Sequence, residues 1–185
     1  MTDTAHDPQI ASLRQRIIGL LDENRKLAAA HAAAEQRLGQ LATLNAAVRQ
    51  LHEAGTPNAV LTTIKEIVAN LLGSEEMGIY ARHADGTLRL LDGIGVDAAR
   101  WGTIPSGFAE VRYAAGAPTV GDPVACVPLL MNGQALGAVV VFRLLPQKPL
   151  LEPVDRELCA LLSTHAGLAL HHAELRASAA QTEAA

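Results

Sequence analysis

Two cysteines and seven histidines are the residues of this chain best equipped for chemistry. Cys126 stands directly before Val127-Pro128-Leu129, and Cys159 lies in a later apolar-periodic stretch. A thiol attacks or senses oxidants as its thiolate, which forms near neutral pH only beside a cation, a metal or a helix N-terminus. No Lys or Arg adjoins Cys126 in sequence. Both thiols therefore read as reduced and buried, and a redox enzyme built on Cys126 is the weakest reading. His171 and His172 are adjacent and point to different faces of a helix, so they do not converge on one ion. His165 and His172 share a face, in a seam with Leu158, Leu161, Leu168 and Leu175. The chain has no HExxH, CxxC or carboxylate-rich metal loop, so no metal site is expected. Gly93, Gly95 and Gly102 lack the Lys-Ser/Thr of a phosphate loop and read as a connector. Spacing nominates no Ser-His-Asp set, and no catalytic residue is assigned.

Composition excludes further classes. The chain has 185 residues, a net charge of −4 and only 3% aromatics. It therefore lacks both the basic footprint of a nucleic-acid binder and the aromatics of a stacking platform. The start, MTDTAHDPQ, has no basic and apolar leader. The longest apolar run, Gln134 to Leu145, falls short of the ~18 residues of a membrane span. A cytoplasmic protein without membrane insertion is expected.

The elements that position these residues begin with a heptad. Ile17, Asn24, His31, Leu38 and Asn45 fall at a, and Leu13, Leu20, Leu27, Ala34, Leu41 and Val48 at d. An unbroken alternation of this length points to a dimeric coiled coil. The expected dimer interface comprises Leu13, Ile17, Leu20, Asn24, Leu27, His31, Leu38 and Leu41, joined by His165, Leu168 and His172 of the last helix. These histidines read first as solvated or hydrogen-bonded helix side chains; the alternative, burial in the seam, would make dimerisation sensitive to pH.

Gly55-Thr56-Pro57 breaks this helix and starts another over Ala59 to Leu72, which Gly73 ends. Met77 to Arg82 and Thr87 to Leu91 read as strands around an Asp85-Gly86 turn. Asp92 to Pro118 reads as irregular, with Phe108 to Ala115 as a short helix. Thr119-Val120 reads as a short strand. Ala125 to Arg143 is a hairpin around Asn132-Gly133, the dipeptide suited to a tight two-residue turn. Pro153 opens the last helix. Helices at both ends of two hairpins give an α+β fold, an antiparallel sheet with helices on one face.

From about residue 41 to 176 the chain resembles a GAF domain, a small sensory and regulatory module. LATLNAAVRQLHEAGTPNAVLTTIKEIVANLLGSEEMGIYARHADGTLRLL is similar to the opening helices and first hairpin of that family. GAPTVGD, ACVPLLMNGQALGAVVVFR and PVDRELCALLSTHAGLALHHAEL are similar to its later segments, in the family's order. The resemblance implies five or six strands, a ligand pocket on the face opposite the terminal helices, and dimerisation through those helices. The stretch from Val96 to Val124 is short for the family, which implies a small or absent pocket. No NKFDE-like series, pigment-attachment cysteine or cysteine set of the free methionine sulfoxide reductases is present, so none of those activities is carried over.

The expected organisation is a disordered start (1–12), a coiled-coil helix (13–52), a GAF-like domain (53–176) and a disordered tail (177–185). Tyr80, Trp101, Phe108, Arg112 and Cys126 are the candidate pocket residues; the ligand and any cofactor are unspecified. The expected function is non-enzymatic: a homodimeric sensor of a small ligand or partner, acting in trans on a separate signalling protein. A ligand-free scaffold, its pocket filled by Trp101 and Phe108, is the alternative.

Overall fold

Helix α1 (His6–Glu53) runs unbroken for 48 residues through an Ala-rich stretch of high helix propensity. The computed structural model describes residues 6–104, 111–114 and 123–183. Within it the chain divides into two compact units, residues 1–43 and 44–185.

In the first unit the apolar heptad side chains are largely exposed. Leu13, Ile17, Leu20, Leu27, Leu38 and Leu41 are 41% to 67% exposed. Asn24 and His31 are exposed as well. Asp22 and Lys26 form an ion pair one turn apart at 2.7 Å, and the His31 ring lies 3.6 Å from the Glu35 carboxylate. Such exposed pairs contribute only about 0.3–0.5 kcal/mol each.

The second unit is built around a six-stranded sheet. Leu44, Ala47 and Leu51, near the C-terminal end of α1, are buried in its core. The last turns of α1 are thus part of this unit, upstream of residue 53. Thr56 caps helix α2 (Pro57–Ile67), its Oγ1 accepting from the Ala59 N–H at 3.2 Å. A π-helical turn, Val68–Leu72, carries the chain to Gly73, whose φ of 72° turns it into the sheet.

The strands are β1 (Ser74–Arg82), β2 (Leu88–Ile94), β3 (Thr103–Ile104), β4 (Arg112–Tyr113), β5 (Ala125–Met131) and β6 (Gln134–Leu144), in the order β3-β2-β1-β6-β5-β4. All the pairings are antiparallel. Asn132 (φ 50°) and Gly133 (φ 77°) close the β5–β6 hairpin, the double positive φ that Asn-Gly tolerates. Helix α3 (Ala98–Trp101) follows β2, and helix α4 (Pro153–Glu183) closes the fold. This is the α+β arrangement read from the sequence.

Three local readings change. The irregular stretch expected from Asp92 still belongs to β2 as far as Ile94, and α3 lies within it. Within the expected Phe108–Ala115 helix, Arg112 and Tyr113 are instead strand, because their backbone joins the β5 edge opposite Cys126 and Ala125. Helix α4 continues to Glu183, past Ala177 where a tail was expected. Phe108 and Thr119-Val120 lie outside the described residues.

The main core lies between the sheet and its helices. Met77, Ile79, Val127, Leu129, Val139 and Val141 meet Val60, Ile64, Leu158, Leu162, Ala166 and Ala169 there. Leu158 therefore belongs to this core and is not free for the α4 seam. Helix α4 lies directly on β5: the Ser163 hydroxyl donates to the Pro128 carbonyl at 2.6 Å. Its start is held by Asp155, which is 2% exposed. That carboxylate accepts from Lys148 Nζ and from the Glu152 N–H, both at 2.7 Å. Lys148→Ala would strand a buried carboxylate without its cation. An expected loss of about 3 kcal/mol follows, read as a lower urea midpoint at unchanged slope.

Candidate functional site

Strand alternation sends a second set of side chains to the opposite face of the sheet. Tyr80, Leu88, Ile104, Cys126, Ala138 and Val140 form a separate buried cluster there, with Leu90, Trp101 and Phe142 packed against it. In register, Tyr80 stands opposite both Ala138 and Leu90, and Cys126 opposite Val140.

Three of the five candidate pocket residues, Tyr80, Trp101 and Cys126, thus meet on one face. Arg112 is across the ladder from Cys126 with an exposed side chain, and Phe108 lies outside the described residues. Asp97 caps α3 through the Ala99 N–H at 2.9 Å and so fixes Trp101. The Trp101 ring stacks on Phe142 with centroids 4.6 Å apart, and the Arg100 guanidinium sits 4.8 Å from the indole centroid. Phe142 and Leu90 were missed; the alternation along β6 places Phe142 on this face, but nothing local pairs it with Trp101.

Tyr80 is the chemical centre of the face. It is fully buried, and its hydroxyl has no hydrogen-bond partner among the described residues. Its ring lies over Gly78, where a Cβ would stand 2.6 Å from Cε2 and 2.8 Å from Oη. Burial, then Cys126 and Glu76, push its pKa up to about 12. Burial likewise pushes the Cys126 thiol up to about 11, against a smaller opposing effect of Arg112. The face is therefore neutral at its floor, suited to an uncharged group carrying a hydrogen-bond acceptor, and unsuited to thiolate chemistry.

Tyr113, the only other tyrosine, is pushed up to about 12 as well, by burial and by Cys159. Absorbance at 295 nm should accordingly stay flat through pH 10, where an ordinary phenol is half ionised. A half-amplitude rise at pH 10 in the folded protein would contradict the burial of these rings. The thiols give a parallel expectation. Cys126 and Cys159 are free and buried, and burial raises the Cys159 thiol to about 12. Iodoacetamide at pH 8 should leave both unmodified until the chain is unfolded, as intact mass will show.

A cleft of about 230 Å³ opens on the helix side of the sheet, between β4, the loop before α4 and the start of α4. Tyr113, Val124, Leu150, Leu151 and Arg156 line it. It is not on the face where the sequence placed the pocket.

The interface histidines separate. His165 is half-buried and faces His52 near the end of α1, with Nδ1 of His165 and Nε2 of His52 3.1 Å apart. Burial and the neighbouring His52 hold the His165 pKa below its usual value. Leu168 is half-buried, while His172 is exposed. Among the described residues no group of three or more His, Cys, Asp or Glu side chains is arranged to hold a metal ion. No described helix is long and apolar enough to cross a membrane.

No family model and no curated protein matches the chain. Solved structures do match it. The GAF domain of a phosphoenolpyruvate-protein phosphotransferase from Coxiella burnetii superposes with a TM-score of 0.59 at 16% identity, over 76% of this chain and 98% of that one. The corresponding Acinetobacter domain gives 0.54 at 16% identity, over 75% and 97%. The GAF domain of the potassium sensor histidine kinase KdpD from Escherichia coli gives 0.50 at 20% identity, over 74% and 96%. The fold is GAF-like, with a long N-terminal helix, as the sequence resemblance implied.

Proposed function

We propose that this chain is a non-enzymatic, cytoplasmic regulatory module. It dimerises through α1 and α4, senses a small uncharged ligand on the outer sheet face, and acts in trans on a separate signalling protein. The observation that carries the ligand reading is the buried Tyr80 hydroxyl, which has no partner among the described residues. A buried polar group left unsatisfied costs stability, and persists where a ligand or water completes it. The similar fold of a sensor histidine kinase domain supports the sensory class. A ligand that favours one of two helix packings would shift their populations, and the partner would read the difference.

Native mass spectrometry of the protein purified from its own host tests the ligand. A dimer carrying a reproducible small mass, released on denaturation, is the expected result. Dimerisation is tested separately. Leu20→Glu/Leu27→Glu places charges at two d positions of an apolar stripe, and light scattering should then report a monomer with an unchanged fold. A wild-type monomer would remove the coiled-coil reading.

A ligand-free scaffold is the second reading. The Trp101–Phe142 stack and the Tyr80 ring over Gly78 favour it, because side chains of the chain itself already fill much of the face. A dimer with no adduct at any purification stage is its expected result.

A further inference from the structure

We propose that His52 and His165 form a two-histidine binding site for a divalent transition-metal ion of the zinc class, clipping the end of α1 to α4. The site is independent of the outer-face ligand reading, since both residues lie among the helices. Sequence reasoning did not reach it, because the two residues are 113 positions apart; His52 falls at the a position that follows Asn45 in the heptad, but nothing local pairs it with His165.

The argument is geometric. His52 Nε2 and His165 Nδ1 approach to 3.1 Å, with the rings nearly perpendicular at 87°. Zinc–imidazole bonds are about 2.0–2.1 Å long, so two ligand nitrogens on a tetrahedral ion stand roughly 3.3 Å apart. Without metal the two nitrogens share a hydrogen bond; rotation of both rings, so that their lone pairs meet at one point beside the nitrogen–nitrogen line, replaces that bond with a shared ion. His52 is exposed, which leaves an entry path from solvent. Ligation requires neutral imidazole. Imidazole nitrogens suit zinc, copper and nickel, whereas magnesium and calcium take oxygen ligands. With no third His, Cys, Asp or Glu converging among the described residues, solvent fills the remaining positions.

The test uses the full chain and Zn²⁺ alone. Equilibrium dialysis at pH 7.5 should show saturable binding of about one ion per chain. His52→Gln and His165→Gln should each weaken it at least about tenfold, while His171→Gln/His172→Gln should leave it unchanged. Undiminished binding by the His52→Gln/His165→Gln double variant would overturn the site, as would the absence of saturable binding by the wild type. A measurement that needs no variant runs beside it. Crystals soaked in Zn²⁺ should show an anomalous peak between the two rings, within bonding distance of both nitrogens. Peaks only elsewhere, or none, would overturn the proposal even if the variants failed to fold.

Discussion

Gly167→Ala should destabilise the protein by about 2 kcal/mol, although alanine is the better helix former. Alanine gains about 1 kcal/mol over glycine within a helix. At position 167 that gain is outweighed, because a Cβ would stand 2.7 Å from the Leu130 carbonyl oxygen and 2.9 Å from Leu129 C and Leu130 N. All three are backbone atoms of β5, which cannot swing aside as a side chain can. Overpacking of this kind costs about 3 kcal/mol at its upper range. Ser163 lies one turn earlier on the same helix face and bonds the Pro128 carbonyl. Helix and strand are thus held in contact one turn from the crowded point. A β-bulge between Leu129 and Leu130 shifts the β5–β6 register at the same place. Gly39 supplies the control, since nothing lies within 4 Å of its would-be Cβ. Gly39→Ala should stabilise, or at least not harm, the chain. Opposite signs in urea midpoints would verify the close approach of α4 to β5. Equal signs would refute it.

Tyr80→Phe should raise the stability of the ligand-free protein by about 1–2 kcal/mol, because it removes a buried hydroxyl that has no partner. The ring volume is kept, so the cover over Gly78 survives. The same change should weaken a ligand that accepts from that hydroxyl by about tenfold, the equivalent of 1.4 kcal/mol. A stabilised variant that no longer carries the adduct identifies Tyr80 as a ligand contact. A stabilised variant with unchanged partner function favours the scaffold. A destabilised variant shows that ordered water satisfies the hydroxyl in solution. The pairing of greater stability with lost binding is the signature of a site in which polarity is retained for function.

The outcome of the sequence reading follows from the range of the interactions involved. The Asn132-Gly133 hairpin, the Thr56 cap, the Gly73 stop and the start of α4 at Pro153 are local, so neighbouring residues suffice to specify them. Period-two alternation also sends Tyr80 and Cys126 to the same sheet face once the strands are recognised. Trp101 needed only a short helix after β2 to join them. The short strand Arg112–Tyr113 was misread as helix, because its conformation comes from the edge of β5 and not from its own residues.

The short elements α3, β3 and β4 aside, the sequence by itself determined the order of the long helices and the two hairpins, the turn chemistry, the α+β class and the apolar heptad of α1. These rest on periodicity and backbone preference, which act over a few residues. Only the tertiary structure decided that Tyr80 closes over Gly78 with an unpartnered hydroxyl, that Trp101 stacks on Phe142, that Gly167 must lack a side chain, and that His52 meets His165. Apart from the Tyr80 ring over Gly78, two residues away, each of these depends on the distance between atoms far apart in the chain. That distance is set by how the sheet twists and how the helices settle on it, to within fractions of an ångström that no local pattern encodes.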